Sequence, residues 1–189
     1  MNLRSFIGLP IPQGAANQLG DIAAKMAYQD KSNAVKWVDQ ANYHITLAFL
    51  GEQPMHVLES LADQLDDRVQ QTEFEASVKS LSPFPEGKPK LIVAMLERND
   101  SLRELHRQVM SAVNACDIEL DKRRFIPHIT LGRYRHTKNS FSGAIPMTVS
   151  CEFVLDDLVL YESNLTPSGA EYEAIFRFPL GDFGDDYEV

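Results

Sequence analysis

The chain has 189 residues, 44% hydrophobic and 24% charged, with 18 basic and 27 acidic side chains giving a net charge of -9. This is the mixture of a soluble globular protein large enough to bury its own core, which excludes disorder and collagen-like structure. It also excludes a broadly basic coat for non-specific nucleic-acid binding, although net charge leaves room for a local anion site.

Taken in chain order, Leu3 to Leu9 is predicted to be a short strand, broken by Pro10, Pro12 and Gly14. The apolar residues Ala15, Leu19, Ile22, Ala23 and Met26 then recur at helical spacing. Trp37-Val38 and Tyr43 to Leu50 are apolar and β-branched enough for strand, ending at Gly51. Pro54 suits a helical first turn, and Leu58, Leu61, Ala62, Leu65 and Val69 form the apolar face of a second helix. Phe74, Ala76 and Val78 alternate as in a half-buried strand, followed by a turn at Pro83, Pro85 and Gly87. Lys90 to Leu96 is almost continuously apolar, which predicts a central strand.

Ser101 and Glu104 have capping-box spacing before a third helix carrying Leu102, Leu105, Val109, Val113 and Cys116 on one face. Phe125 to Tyr134 reads as strand after an entry around Pro127. Val149 to Tyr161 is strand-like, with a bulge or bend expected at Asp156-Asp157. Tyr172, Ala174, Phe176 and Phe178 alternate in a last strand, before a tail with Asp182, Asp185, Asp186 and Glu188 that reads as a solvated end. The order predicts an α+β fold with helices covering sheet. Residues 1–189 read as one domain, because no long linker divides them.

Cys116 and Cys151 lie far apart and read as reduced core residues, consistent with a reducing compartment. The N-terminal apolar stretch is too short for a signal peptide, and no segment reaches the ~18 apolar residues of a membrane helix. A cytoplasmic location with no membrane partner is expected.

One pattern stands out from this background. His44-Ile45-Thr46-Leu47 recurs identically as His128-Ile129-Thr130-Leu131, 84 residues later, and each copy is followed closely by a glycine, Gly51 or Gly132. An alternating strand places histidine and threonine on one face and isoleucine and leucine on the other. The apolar pair then anchors the strand, and the polar pair faces a cleft. Two such strands would present two imidazoles and two hydroxyls to one ligand. Imidazole titrates near neutrality, so one can accept a proton while the other donates one. Threonine hydroxyls can donate to anionic oxygens.

A phosphodiester needs this set: an activated nucleophile, a protonated leaving oxygen and donors to its non-bridging oxygens. The scheme calls for no cofactor and no metal, and ligand spacings typical of metal sites are lacking. Between residues 122 and 138 lie Lys122, Arg123, Arg124, Arg133, Arg135 and Lys138 without an acidic residue, a patch suited to phosphate. His56 and His106 fall on predicted helices and read as structural or solvent-facing.

These paired motifs resemble the hallmark of the two-histidine phosphoesterases, and most closely their RNA 2',3'-cyclic phosphodiesterase branch, the 2'-5' RNA ligase family. The likeness extends to Arg4, Phe6 and the prolines after Leu9, to Trp37 and Asn42–Gly51, to Pro83-Phe84-Pro85, to Phe125-Ile126-Pro127, and to Leu160-Tyr161-Glu162-Ser163 with Leu165, Gly169 and Tyr172. The resemblance implies two pseudo-symmetric lobes, built as interleaved half-repeats. Each lobe is an antiparallel sheet with helices on its outer face, and the active cleft lies between them.

It further implies hydrolysis of an RNA 2',3'-cyclic phosphate end to a 2'-phosphomonoester. His128 is then the base and His44 the acid. Thr46 and Thr130 hold the non-bridging oxygens, and Arg133 is an added phosphate contact because guanidinium matches phosphate geometry. A monomer suffices for such a site. Phe6, Trp37, Phe84, Phe125 and Tyr134 are candidates to stack a base, with a core role preferred for each. Other readings are reversible 2'-5' RNA joining, action on another small cyclic phosphate, and an RNA-end binding module without turnover.

Overall fold

The computed structural model describes residues 2–120, 124–136, 140–166 and 169–181. Its elements in order are β1 (Asn2–Pro10), α1 (Gln13–Gln29), β2 (Val35–Trp37), β3 (His44–Pro54), α2 (Met55–Arg68), β4 (Phe74–Phe84), β5 (Leu91–Leu96), α3 (Asp100–Ala115), β6 (His128–Tyr134), β7 (Glu152–Leu155), β8 (Asp157–Thr166) and β9 (Gly169–Pro179). The α+β class follows from the sequence periodicities. The helical repeats bury Leu19 and Met26 on α1, Leu58, Leu61 and Leu65 on α2, and Leu102, Leu105 and Val109 on α3. These side chains join Ile45, Leu47, Ile129 and Leu131 in one hydrophobic core, so the helices cover the strand face opposite the motif histidines.

The strands form one antiparallel sheet in the order β7-β4-β5-β6-β3-β1-β8-β9, with β2 also paired to β6. Four strands lie on each side of the β6/β3 junction. A β-α-β unit flanks that junction on each side: β1-α1 leading to β3, and β5-α3 leading to β6. The junction itself rests on one residue pair, Ile45 opposite Ile129. The expected two lobes are thus two halves of a continuous sheet, joined at the motif strands.

Several local expectations change. The cap of α3 is Asn99, whose side chain accepts from the Leu102 backbone N–H, and Ser101 lies inside the helix. Asn99 places the cap two residues earlier than the Ser101–Glu104 spacing suggested, and Glu104 instead pairs with Arg107. β3 runs past Gly51 to Pro54, because Gly51 adopts φ 70° inside the strand rather than after it. The interruption at Asp156-Asp157 is a change of partner: β7 pairs with β4 in one half, and β8 pairs with β1 in the other. Pro83 belongs to β4, and the turn follows it. Both cysteines are free, Cys151 buried and Cys116 partly so. The acidic tail beyond 181, together with Lys122, Arg123 and Lys138 of the basic window, lies outside the described residues.

Gly132 supplies a direct check on how β2 and β6 seat against each other. A Cβ there would stand 2.5 Å from Val35 Cγ1 and 3.2 Å from the Trp37 ring. Gly132→Ala is expected to cost about 1–3 kcal/mol through this overpacking, read as a fall in Tm. An unchanged Tm would mean that β2 does not press on β6 as described.

Candidate active site

The alternation predicted for the two motifs holds. Ile45, Leu47, Ile129 and Leu131 are buried in the core, while His44, Thr46, His128 and Thr130 are partly exposed on the other face. Antiparallel pairing about Ile45 and Ile129 runs the motifs in opposite directions, so each histidine falls beside the other motif's threonine. The structure therefore brings together all four residues singled out from the repeat.

Each imidazole is held in the same way. His44 Nδ1–H donates to the Asn42 carbonyl and His128 Nδ1–H to the Ile126 carbonyl, both at 2.7 Å and both two residues upstream. A carbonyl only accepts, so Nδ1 carries the proton and Nε2 holds the free lone pair of the neutral ring. The Asn42 side chain in turn donates to the Ala170 carbonyl, tying the support of His44 to β9. Each histidine also has a phenylalanine at 4.9 Å between ring centroids, Phe6 for His44 and Phe84 for His128. Tyr172 stands edge-on to His44 at 5.1 Å, and Tyr161 stacks on Phe6 at 4.9 Å.

Burial disfavours the imidazolium form. It lowers the His44 pKa from 6.5 to about 4, opposed by the Asn42 hydrogen bond and aided by the charges of Arg133 and His128. His128 is also lowered, first by burial and then by Arg133, against the hydrogen bond to Ile126. Arg133 thus acts electrostatically on both rings.

Strict alternation would place Arg133 on the core face with Ile129 and Leu131. A bulge prevents this. Ile92 pairs with Gly132 and Val93 with Thr130, so Leu131 is the extra residue. Leu131 and Gly132 both turn inward, and Arg133 returns to the cleft face. The first motif has the same bulge: Ile7 pairs with Ala48 and Gly8 with Thr46, leaving Leu47 extra and returning Phe49 to the cleft face. Phe49 and Arg133 each lie five residues after a motif histidine.

Sequence reasoning missed Phe49, which pairs with Phe6 across β1 and is 72% exposed. The equal offset of five was the available signal, but only with the bulge known. His106 has packing partners of its own. It stacks flat on Phe125 at 3.9 Å and hydrogen-bonds the backbone of Leu47, the bulge residue. Trp37 packs edge-on to Phe141, and Tyr134 packs against the core. Phe6 is buried beside His44, so it lines the cleft floor rather than offering an open ring. Among the described residues, no three His, Cys, Asp or Glu side chains converge as a metal site would require, and no helix is long and apolar enough to cross a membrane.

The chain is 26% identical to an RNA 2',3'-cyclic phosphodiesterase of Thermotoga maritima, over 93% of this chain and 94% of that protein. It is 28% identical to the enzyme of the same name from Bacillus subtilis, over 93% and 95%. The fold matches the crystal structure of E. coli LigT complexed with 3'-AMP at a TM-score of 0.79, with 22% identity over 95% of this chain and 99% of that one. The family model of the 2'-5' RNA ligase superfamily matches residues 11–166, which contain both motif strands. With its paired histidine–threonine strands meeting at one cleft, this chain belongs to the 2'-5' RNA ligase superfamily.

Proposed function

We propose that the protein hydrolyses RNA 2',3'-cyclic phosphate ends to 2'-phosphomonoesters, using two histidines and no metal. The observation that carries this reading is the duplicated anchoring of His44 and His128. Each ring has Nδ1 fixed on a carbonyl and Nε2 left for proton transfer beside a threonine of the opposite motif. The relatives bearing the name RNA 2',3'-cyclic phosphodiesterase support the substrate class.

In the proposed step, His128 Nε2 takes a proton from water as the water oxygen bonds to phosphorus. The P–O3' bond breaks, and protonated His44 gives its proton to O3'. The ring opens to a 2'-phosphate and a free 3'-hydroxyl, and exchange with solvent resets both imidazoles. Thr46 and Thr130 donate to the non-bridging oxygens, and Arg133 balances the charge spread over them. Phe49 offers an exposed aromatic face at the cleft for a nucleobase. The two half-repeats act as one catalytic unit. We assign the reaction to a monomer, since one chain carries both motifs, and to the cytoplasm, which the bacterial and archaeal relatives favour.

The anionic substrate has a second role. In the free protein burial keeps both rings neutral, with His44 titrating at about 4. A phosphodiester in contact with His44 favours its protonated form, so the substrate itself charges the acid.

Incubation with an oligonucleotide ending in 2',3'-cyclic phosphate, in EDTA, is expected to yield a 2'-phosphate. A 3'-phosphate product, or loss of activity in EDTA, would sink the mechanism. His44→Ala and His128→Ala should each lower kcat by about 10²–10⁴-fold while the protein stays folded. Either variant turning over at the wild-type rate removes that residue from the reaction.

The pH profile of kcat/KM, which reports the free enzyme, should be bell-shaped with its maximum below 6.5, because both free histidines are shifted down. The kcat maximum should lie at higher pH, because the bound anion raises both values. A kcat/KM maximum above pH 7.5 would contradict the acid–base pair. Stability carries the same signature. A histidine whose folded pKa is lowered contributes fully above its unfolded value of 6.5, and that contribution is lost as the pH falls toward about 4. His44→Gln should therefore flatten the drop in Tm between pH 7 and 4.5, and an equally steep drop would show that His44 is not buried neutral.

A further inference from the structure

Lys36 lies on β2, directly opposite Arg133 on β6. Residues opposite one another in an antiparallel pair share a face, and their Cβ atoms stand about 4.5–5.5 Å apart. The neighbouring pair Val35–Tyr134 packs on the core side, so Lys36 and Arg133 point to the cleft side. Both are exposed, and neither has an ion-pair partner among the described residues. The Lys36 ammonium sits against Gly169 at the β8–β9 hairpin, 3.4 Å from where a Cβ on that glycine would be. The pair therefore occupies one end of the cleft rather than an open sheet surface.

Like charges placed directly across a sheet are destabilising. In a chain of net charge -9, with acidic residues to spare, two cations face each other beside the catalytic strands with no carboxylate between them. An anion resolves that repulsion. Arg133 already acts on both histidines and so stands nearest the reacting phosphate. Lys36, one strand further out on a four-carbon stem, is placed beyond it.

We propose that Lys36, next to Arg133, binds a second phosphate, the one on the 5' side of the terminal nucleotide, and so makes the cleft prefer a nucleotide chain over a bare nucleoside cyclic phosphate. This rests on the proposed function for the position of the first phosphate. The ammonium acts as a point charge and reads no sequence, so its preference is for phosphate number and not base identity.

The test compares two stable ligands by calorimetry: a nucleoside 2'-phosphate, and the same nucleoside as its 2',5'-bisphosphate. The wild type is expected to bind the bisphosphate about tenfold more tightly at low salt, with the ratio shrinking as salt rises from 50 to 200 mM, as counterion release requires. Lys36→Met keeps the stem and removes the charge, and should bring the ratio to about one. Lys36→Arg should restore most of it. A ratio unchanged in Lys36→Met, or both ligands weakened equally, would overturn the proposal.

A parallel assay measures turnover of a nucleoside 2',3'-cyclic phosphate with and without a 5'-phosphate. The 5'-phosphate should lower KM more than it changes kcat in the wild type, and this KM advantage should vanish in Lys36→Met. Retention of the advantage in that variant would also overturn the proposal. Absence of turnover with the bisphosphate preference intact would instead refute the hydrolase reading and leave the second phosphate site standing.

Discussion

The site depends on the contact between two buried isoleucines. Ile45 and Ile129 are the one pair that joins β3 to β6, and both are fully excluded from solvent. Because strand side chains alternate, fixing these two on the core side turns His44, Thr46, His128 and Thr130 to the other side. A slip of one residue in either strand would bury a histidine–threonine pair and expose the apolar one. The hydrophobic effect that drives Ile45 and Ile129 inward therefore sets the orientation of the two histidines and two threonines.

Around that contact, each half of the sheet solves the same problem with the same parts. A carbonyl two residues upstream orients each imidazole, a phenylalanine closes one side of it, and a bulge at the motif leucine returns the next side chain to the cleft. The halves diverge at the position after the bulge. One presents the phenyl ring of Phe49 and the other the guanidinium of Arg133. A nucleotide is asymmetric in the same sense, with an aromatic base at one end and phosphates at the other. A near-symmetric scaffold thus acquires direction from one substituted residue pair. Lys36 extends the charged side.

Electrostatics and packing work against each other here. Burying the rings beside Arg133 keeps them neutral, which suits a base and opposes an acid. In the proposed reaction the conflict is settled by the ligand, whose negative charge enters between side chains of low polarity such as Phe6, Val93 and Val159. Charge interactions are stronger in such surroundings than in water. His106 lends rigidity from the far side, through its hydrogen bond to the bulge at Leu47 and its stacking on Phe125 next to the Ile126 carbonyl.

Much of this was present in the one-dimensional pattern. The identical tetrapeptides, their alternation, the three amphipathic helices and the central β5 all follow from local periodicity, because burying one face of a strand or helix leaves a repeat in the sequence. Other features required the tertiary structure. The Asp156 break separates strands that belong to different halves, and no local signal says which partner each will find. The bulges at Leu47 and Leu131 arise from mismatched pairing with β1 and β5, so the facing of Phe49 and Arg133 could not be derived from β3 or β6 alone. Lys36 is the clearest case. It lies 97 residues from Arg133 in the chain, and only the pairing of β2 with β6 makes them neighbours. Sequence by itself singled out the paired histidine–threonine groups proposed to do the chemistry, since that is a matter of residue type and spacing. The fold decided which groups share a face, since that is a matter of long-range register.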